Sequence, residues 1–175
     1  MKITISGTPG SGKSVIAKRL AKELGYNYYD VGTIRREIAR EHNISLEELN
    51  RLGESEDWTD KKADAVAAHI GKTQDNFIFV GRLAYHFIPD SMKIYLQCDL
   101  EIGAERIHAD KRDTEGYISI EHAVEKLKKR VASDVLRYRK YYGIDHADTS
   151  QYDVVIDSSQ LSIEEVMQQV RDHVE

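Results

Sequence analysis

The stretch Gly7-Thr8-Pro9-Gly10-Ser11-Gly12-Lys13-Ser14 matches the phosphate-binding pattern G-x-x-x-x-G-K-[ST] at every fixed position. A run of alternating β-branched residues before it predicts a strand, and apolar residues that recur every four positions after it predict a helix. Glycines let the backbone wrap a phosphate chain with its N–H groups pointing inward, and the helix adds the positive end of its dipole. Lys13 can then reach the β- and γ-phosphates, and the Ser14 hydroxyl can bind Mg²⁺. The motif predicts binding of ATP or GTP with Mg²⁺, against the alternative of a glycine-rich turn with an incidental lysine.

Four further strands are predicted beyond this loop, at about residues 26–30, 76–80, 93–97 and 152–156. The intervals between them read as helices: three between residues 32 and 71, one from about residue 100 to 107, one from about 119 to 142, and a C-terminal helix capped by Ser162 and Glu165. Strands that alternate with helices imply a parallel sheet covered on both faces. The sequence therefore predicts an α/β protein with a three-layer P-loop NTPase fold around a five-stranded parallel sheet.

Two helical segments interrupt the regular alternation of strands and helices. One follows the second strand, at about residues 31–75, and the other follows the fourth, at about residues 108–137. Loops and lids that handle substrates are typically found at such positions. We expect a single domain over residues 1–175, with a substrate-binding insertion in the first segment and a lid in the second.

Composition excludes several classes of protein. The chain has 175 residues, 41% of them apolar and 31% charged, and its net charge of −5 argues against a general nucleic-acid surface. The single cysteine, Cys98, cannot form an internal disulfide, and no apolar run approaches the ~20 residues that span a bilayer. The N-terminus lacks a signal-peptide pattern. We therefore expect a cytoplasmic monomer that binds small molecules and neither a membrane nor nucleic acid.

Arginines occur in three places where a phosphoryl-transfer enzyme needs them. Transfer requires positive charge around the moving group and around an anionic acceptor, and arginine is the usual residue for both. Arg35 and Arg36 open the first insertion, and Arg82 follows the third strand at the edge of the sheet where ligands bind. A third set lies on one face of the long helix: Arg130, Asp134 and Arg137. The alternatives are solvated helix charges for the first pair and a surface ion-pair ladder for the third set.

Two aspartates in the first insertion, Asp60 and Asp64, are spaced one helical turn apart. Carboxylate oxygens accept hydrogen bonds, so this pair can accept them from the amino edge of a cytosine base. The alternative is a solvated helix face.

The chain resembles the cytidylate kinases, particularly the short type found in archaea. The matching pieces run along nearly the whole length, in order: residues 3–7 leading into the phosphate loop, 32–37, 81–83, 104–107, 129–134 with 137–138, 141–145, and 152–158. The resemblance implies a nucleoside-monophosphate-kinase fold with a core, an insertion and a lid. It also implies ATP-dependent phosphorylation of CMP, with dCMP a second candidate acceptor.

The resemblance implies a role for each matching residue. Arg36 and Arg82 look like the arginines that bind the acceptor phosphate, and Arg106 looks like the arginine that packs on the donor adenine. Asp30 and Gly32 begin the insertion and are expected beside the acceptor. On the long helix, Asp134 resembles the carboxylate that binds the acceptor ribose. The lid arginines that contact both nucleotides correspond to Arg130 and Arg137.

The sequence departs from the family pattern at three places. The residue before Gly81 is commonly acidic and helps to hold Mg²⁺, whereas this chain has Val80. Asp30 is the nearest carboxylate in sequence that can compensate. A glutamine often follows the aspartate that Asp64 resembles, whereas alanine and valine occupy residues 65–67, and Asp110 stands where an arginine is usual.

Two other functions stay open on the sequence. A P-loop kinase can act on a different small acceptor, such as AMP, UMP, shikimate or a sugar acid. The chain can also be a nucleotide-binding module with impaired catalysis, a hypothesis that Val80 motivates.

Overall fold

Five parallel strands form the centre of the molecule. In the computed structural model, which describes residues 1–110 and 117–174, they are Lys2–Gly7 (β1), Asn27–Asp30 (β2), Phe77–Val80 (β3), Met92–Gln97 (β4) and Val154–Asp157 (β5). They lie in the order β2-β3-β1-β4-β5, and every neighbouring pair is parallel. The predicted α/β fold with a five-stranded parallel sheet is confirmed. Because the strands are parallel, their carboxyl ends meet at one edge, where ligands bind in such sheets.

Helices cover both faces of this sheet. In the described part of the chain they are Lys13–Leu24 (α1), Val31–Glu41 (α2), Leu46–Gly53 (α3), Trp58–Thr73 (α4), Ala84–Phe87 (α5), Leu100–Ala109 (α6), Ile120–Tyr142 (α7) and Ile163–Val174 (α8). The three helical stretches between β2 and β3 agree with the prediction. The short helix α5 and a 3₁₀ turn at Thr149–Gln151 were not predicted, because neither is long enough to show a helical period.

The caps that the sequence indicates are present. Ser45 accepts a hydrogen bond from the Glu48 amide at 3.0 Å and begins α3. At the start of α8 the capping box is complete, since the Ser162 amide donates to Glu165 and the Glu165 amide donates back to the Ser162 hydroxyl. Gly25 ends α1 in the left-handed conformation, with φ of 68°.

The core has two parts, one on each face of the sheet. On one face α1 and α8 pack against β1, with Ile3, Ile5 and Met167 wholly buried. On the other face α4 and α5 cover the phenylalanines of β3. Burial on both faces explains why the central strands read as continuous apolar runs.

Helices α2 to α4 form the insertion between β2 and β3, with an apolar cluster of their own around Leu49. Trp58, the single tryptophan of the chain, packs its ring 4.6 Å from that of His42 and donates its indole N–H to Glu56. Helix α7 packs on α6 through Ala104, Ala123 and Leu127. The division into insertion and lid stays a prediction, and residues 111–116 of the predicted lid lie outside the described residues.

We found no helix in the described ranges with both the length and the apolar composition needed to cross a bilayer.

A close backbone contact joins the phosphate loop to α6. A Cβ atom added at Gly103 would lie 2.5 Å from the Pro9 carbonyl oxygen, and one added at Gly10 would lie 2.3 Å from the Gly103 Cα. The loop and the helix therefore touch at a point where neither has a side chain.

We expect Gly103→Ala to lower the free energy of unfolding by about 1–3 kcal/mol, because the new methyl group overlaps backbone that cannot move without shifting the loop. Urea denaturation measures the change. The control is Glu105→Ala on the exposed face of the same helix. Equal stability of the two variants would contradict the prediction.

Candidate active site

The phosphate loop is fixed to the end of β4 before it reaches its lysine. Gly7 has φ of +149°, and a Cβ atom there would lie 2.1 Å from the Leu96 carbonyl oxygen. The Thr8 amide donates to that same carbonyl at 3.1 Å. The Thr8 hydroxyl accepts from the Cys98 amide at 2.8 Å and donates to the Cys98 carbonyl at 3.1 Å. These bonds explain why glycine and threonine begin the motif.

The end of the loop opens onto the start of α1. Gly12 has φ of +82°, and the space that a Cβ atom would enter contains no protein atom within 4 Å. The amides of Val15 and Ile16 make the first helical bonds, to the Gly12 carbonyl, so the amides of Lys13 and Ser14 lie ahead of the hydrogen-bonded helix. Such an N-terminus binds anions.

A large cavity lies beside the loop, with a volume of about 1170 Å³ including its open mouth. Its walls come from residues 10–16, from α6 and from the segment that joins β5 to α8. Arg106 lines it, with its guanidinium donating to the carbonyls of Ser158 and Ser159 at 2.8 and 3.1 Å. The predicted adenine-packing arginine therefore lies in the wall of the cavity that continues from the loop.

The lysine of the motif is held within a positive environment. Lys13 donates to the Thr8 carbonyl at 2.8 Å. Burial, together with the charges of Arg82 and Arg130, lowers the pKa of Lys13 to about 7, and Asp30 opposes the shift. A polyphosphate at the loop would supply the negative charge that this group of cations lacks.

Asp30 and Val80 are direct neighbours across strands β2 and β3, at the edge that faces the loop. Val80 is buried in the apolar core. The Asp30 carboxylate accepts from the Gly32 amide at 2.9 Å and caps α2. The buried Tyr28 hydroxyl lies beside Ser14, and burial raises the pKa of Tyr28 to about 12. The carboxylate nearest the loop in this part of the sheet thus comes from β2 and not from β3.

Five buried or nearly buried charged residues form a continuous chain of ion pairs. Arg35 donates to Asp60 Oδ1 at 2.8 Å, and Arg137 Nε lies 2.9 Å from Asp60 Oδ2. Arg137 Nη2 donates to Asp134 Oδ1 at 2.5 Å, and Arg82 pairs with the other oxygen of Asp134. The chain joins the insertion, α7 and the end of β3.

These charges lie away from solvent, as exposed fractions of 2% for Arg137, 3% for Asp60 and 5% for Asp134 show. The alternative interpretations, a solvated helix face at Asp60 and a surface ion-pair ladder at Asp134 and Arg137, are therefore wrong. Three arginines against two aspartates leave one positive charge in excess (3 − 2). An anionic phosphate group would compensate it.

Sequence reasoning named Arg35 and Arg36 together and assigned the acceptor phosphate to Arg36, yet Arg35 is the buried one, whereas Arg36 is exposed close to Gly32. The signal was present in the sequence. Arg35 lies four residues after Val31 and three before Ile38, on the apolar face of α2. Its second partner is Asn50, whose side-chain oxygen accepts at 2.9 Å.

A second, narrow cleft adjoins this chain of ion pairs, with about 370 Å³ of empty space when its open mouth is included. Its polar side chains include Arg35, Asp60, Asp64, Arg82 and Tyr138. Asp64 accepts a hydrogen bond from the Tyr142 hydroxyl of α7. Burial raises the pKa of Asp64 to about 7, which the Tyr142 hydrogen bond opposes.

Comparison with known proteins shows the family of this chain. Residues 2–160 match the model of the cytidylate kinase-like family. The chain belongs to the cytidylate kinase-like family. It is 41% identical over 169 residues to a cytidylate kinase of Sulfolobus acidocaldarius, covering 95% of this chain and 90% of that protein. A cytidylate kinase of Natronomonas pharaonis is 38% identical, covering 93% of this chain and 83% of its own length. The predicted resemblance is confirmed.

Solved structures of other kinases share the fold of this family member. Shikimate kinase from Bacteroides thetaiotaomicron superposes with a TM-score of 0.68 at 12% identity, covering 99% of this chain and 98% of that one. Shikimate kinase from Acinetobacter baumannii gives a TM-score of 0.60 at 17% identity, with 99% and 92% covered. At these identities the likeness concerns the fold alone.

In this cytidylate kinase-like protein, Asp60 holds two arginines at once. We expect Asp60→Asn to lower the free energy of unfolding by on the order of 3 kcal/mol, since it removes the charge that two buried guanidinium groups share. Urea denaturation measures the loss. Glu41→Gln is the matched control, because Glu41 pairs with Lys62 in solvent, and we expect no measurable change there. Similar results for both variants would argue against a structural role of Asp60.

Proposed function

We propose that this protein is a cytidylate kinase that transfers the γ-phosphoryl group of ATP to the phosphate of CMP. The observation that carries the proposal is that the phosphate loop and the arginine cluster adjoin. Arg82 belongs to the chain of ion pairs, and its charge also lowers the pKa of Lys13. Donor and acceptor phosphates bound at these two places would meet between Lys13 and Arg82.

On the donor side, the phosphate loop of residues 7–14 wraps the ATP phosphates, with the Lys13 and Ser14 amides ahead of the hydrogen-bonded helix among its donors. Lys13 exchanges its bond to the Thr8 carbonyl for the β- and γ-phosphate oxygens, and Arg106 packs on the adenine. Because the loop is already fixed to β4 and α6, little reorganisation accompanies binding.

On the acceptor side, Arg36 and Arg82 bind the CMP phosphate, and Asp134 binds the ribose. Arg130 and Arg137 stabilise the negative charge that spreads over the transferring group. Asp30, Gly32, Asp60 and Asp64 complete the acceptor site. No general base is required, because the attacking group is already an anionic phosphate.

The residues around Ser14 fit a magnesium ion. Mg²⁺ keeps several waters and takes few protein ligands, mostly oxygens, beside substrate phosphates. The Ser14 hydroxyl would be one such ligand, and the Asp30 carboxylate faces the same loop from β2. When bound, the ion neutralises charge on the β- and γ-phosphates. We also propose that the protein works as a monomer in the cytoplasm.

We expect Lys13→Ala to abolish phosphoryl transfer at saturating CMP, because no other cation replaces the ammonium group at the γ-phosphate. A coupled assay for ADP formation measures it, with Lys22→Ala, on the exposed face of α1, as the control. Normal turnover of Lys13→Ala would refute its role. The same assay with CMP, dCMP, UMP, AMP and shikimate separates the proposed acceptor from the other kinases considered.

An impaired nucleotide-binding module is the second candidate function, and the burial of Val80 in apolar surroundings favours it. If catalysis is impaired for lack of a carboxylate on β3, Val80→Glu raises turnover. If Asp30 supplies that carboxylate, the substitution brings no gain.

We expect Asp30→Asn to weaken metal binding roughly tenfold or more, because the one carboxylate that we propose for the site is lost. Binding of Mn²⁺ to the protein–ADP complex, followed by electron paramagnetic resonance, gives a readout independent of activity. Asp172→Asn on the exposed side of α8 is the control. Unchanged Mn²⁺ affinity in Asp30→Asn would exclude Asp30 from the metal site.

A further inference from the structure

The two aspartates of α4 differ in what they contact. Both oxygens of Asp60 pair with arginines, Oδ1 with Arg35 and Oδ2 with Arg137. Asp64 pairs with no arginine among the described residues, and its Oδ2 accepts from the Tyr142 hydroxyl. Asp60 therefore holds the arginines in place, while Asp64 has a carboxylate oxygen, Oδ1, that a ligand in the cleft can use.

The cleft walls near Asp64 combine apolar side chains with a few polar ones. Ala63, Ala67, Phe79 and Phe87 line the same cleft as Asp64. Apolar walls favour an aromatic base, and a carboxylate buried among them requires a hydrogen-bond donor. The exocyclic amino group of cytosine is such a donor.

Both protonation states of Asp64 are accessible near neutral pH. Burial, with the charge of Asp60, raises its pKa to about 7. The Tyr142 hydroxyl and the charges of Arg35 and Arg137 oppose this rise. Three more groups surround this pair. Tyr138 and Arg82 line the cleft, and the His86 ring packs 6.3 Å from that of Tyr142.

We propose that Asp64 reads the acceptor base and that Tyr142 is its positioning residue. As a carboxylate, Asp64 accepts from the amino group of cytosine. As a carboxylic acid, it donates to the carbonyl oxygen that uracil carries at the same ring position. The choice between CMP and UMP therefore changes with pH. This inference rests on the proposed function and assigns the base specificity of that site.

The direction of the pH effect follows from the charge of each form. Above pH 7 the carboxylate predominates and CMP is preferred. Each pH unit changes the ratio of carboxylate to carboxylic acid about tenfold, so a lower pH weakens CMP and strengthens UMP. Both substrates carry the same phosphate group, whose own titration near pH 6 cancels in their ratio.

The experiment measures kcat/KM for CMP and for UMP between pH 6 and pH 8.5. In the wild-type protein the CMP:UMP ratio should fall by up to about 100-fold from pH 8 to pH 6. In Asp64→Asn the ratio should be low and independent of pH, since an amide both donates and accepts. Asp75→Asn, which is exposed in the turn after α4, should keep the wild-type profile.

Tyr142→Phe tests the positioning role and does not require loss of the carboxylate. Without the hydroxyl that favours the ionised form, the pKa of Asp64 should rise, and the curve of the CMP:UMP ratio against pH should move to higher pH. If Tyr142 has a purely structural role, the substitution should change both rates without moving this curve. That result would overturn the assignment of Tyr142 as a positioning residue.

Two outcomes separate this inference from the function on which it rests. If the protein turns over CMP but the CMP:UMP ratio stays constant across the pH range, the role of Asp64 in base recognition is overturned and the proposed function is not. Retention of the pH-dependent ratio in Asp64→Asn does the same. Absence of turnover with either nucleotide, while ATP still binds, overturns the proposed function together with the inference.

Discussion

A buried guanidinium group, that of Arg137, constrains much of the structure. Arginine does not lose its proton in proteins, so an arginine with 2% exposure needs carboxylates around it. Asp134 comes from the same helix, but Asp60 comes from the insertion, 77 residues earlier in the chain (137 − 60). To satisfy this one cation, α7 must place the Arg137 side chain within reach of Asp60 in the first turn of α4. That placement in turn brings Asp134 to Arg82 at the end of β3.

The same constraint organises the site for phosphoryl transfer. Carboxylates hold Arg35, Arg82 and Arg137 in fixed positions, so the proposed acceptor phosphate meets charges that are already oriented. The excess positive charge extends to Lys13, whose pKa falls through burial and through Arg82. The negative charge of a bound phosphate group would then compensate the excess positive charge of these residues.

Sequence reasoning reached most of the fold and part of the site, for identifiable physical reasons. The phosphate loop has fixed spacing and sits between a strand and a helix, so its position and context were predictable. Asp134 and Arg137 are three residues apart on one helix, and their common face follows from the helical period. The bond between Asp64 and Tyr142 spans 78 residues, and no local pattern encodes it. The burial of Arg35 was readable from its neighbours, but its pairing with Asp60 required the packing of α2 on α4.

The position of Trp58 gives the insertion its own optical reporter. The chain contains no other tryptophan, so the indole emission comes from the start of α4, two residues before Asp60. Its contacts with His42 and Glu56 both lie within the insertion. Changes in tryptophan fluorescence of the unlabelled protein, excited selectively over its ten tyrosines, therefore report on the local state of this segment without a dye.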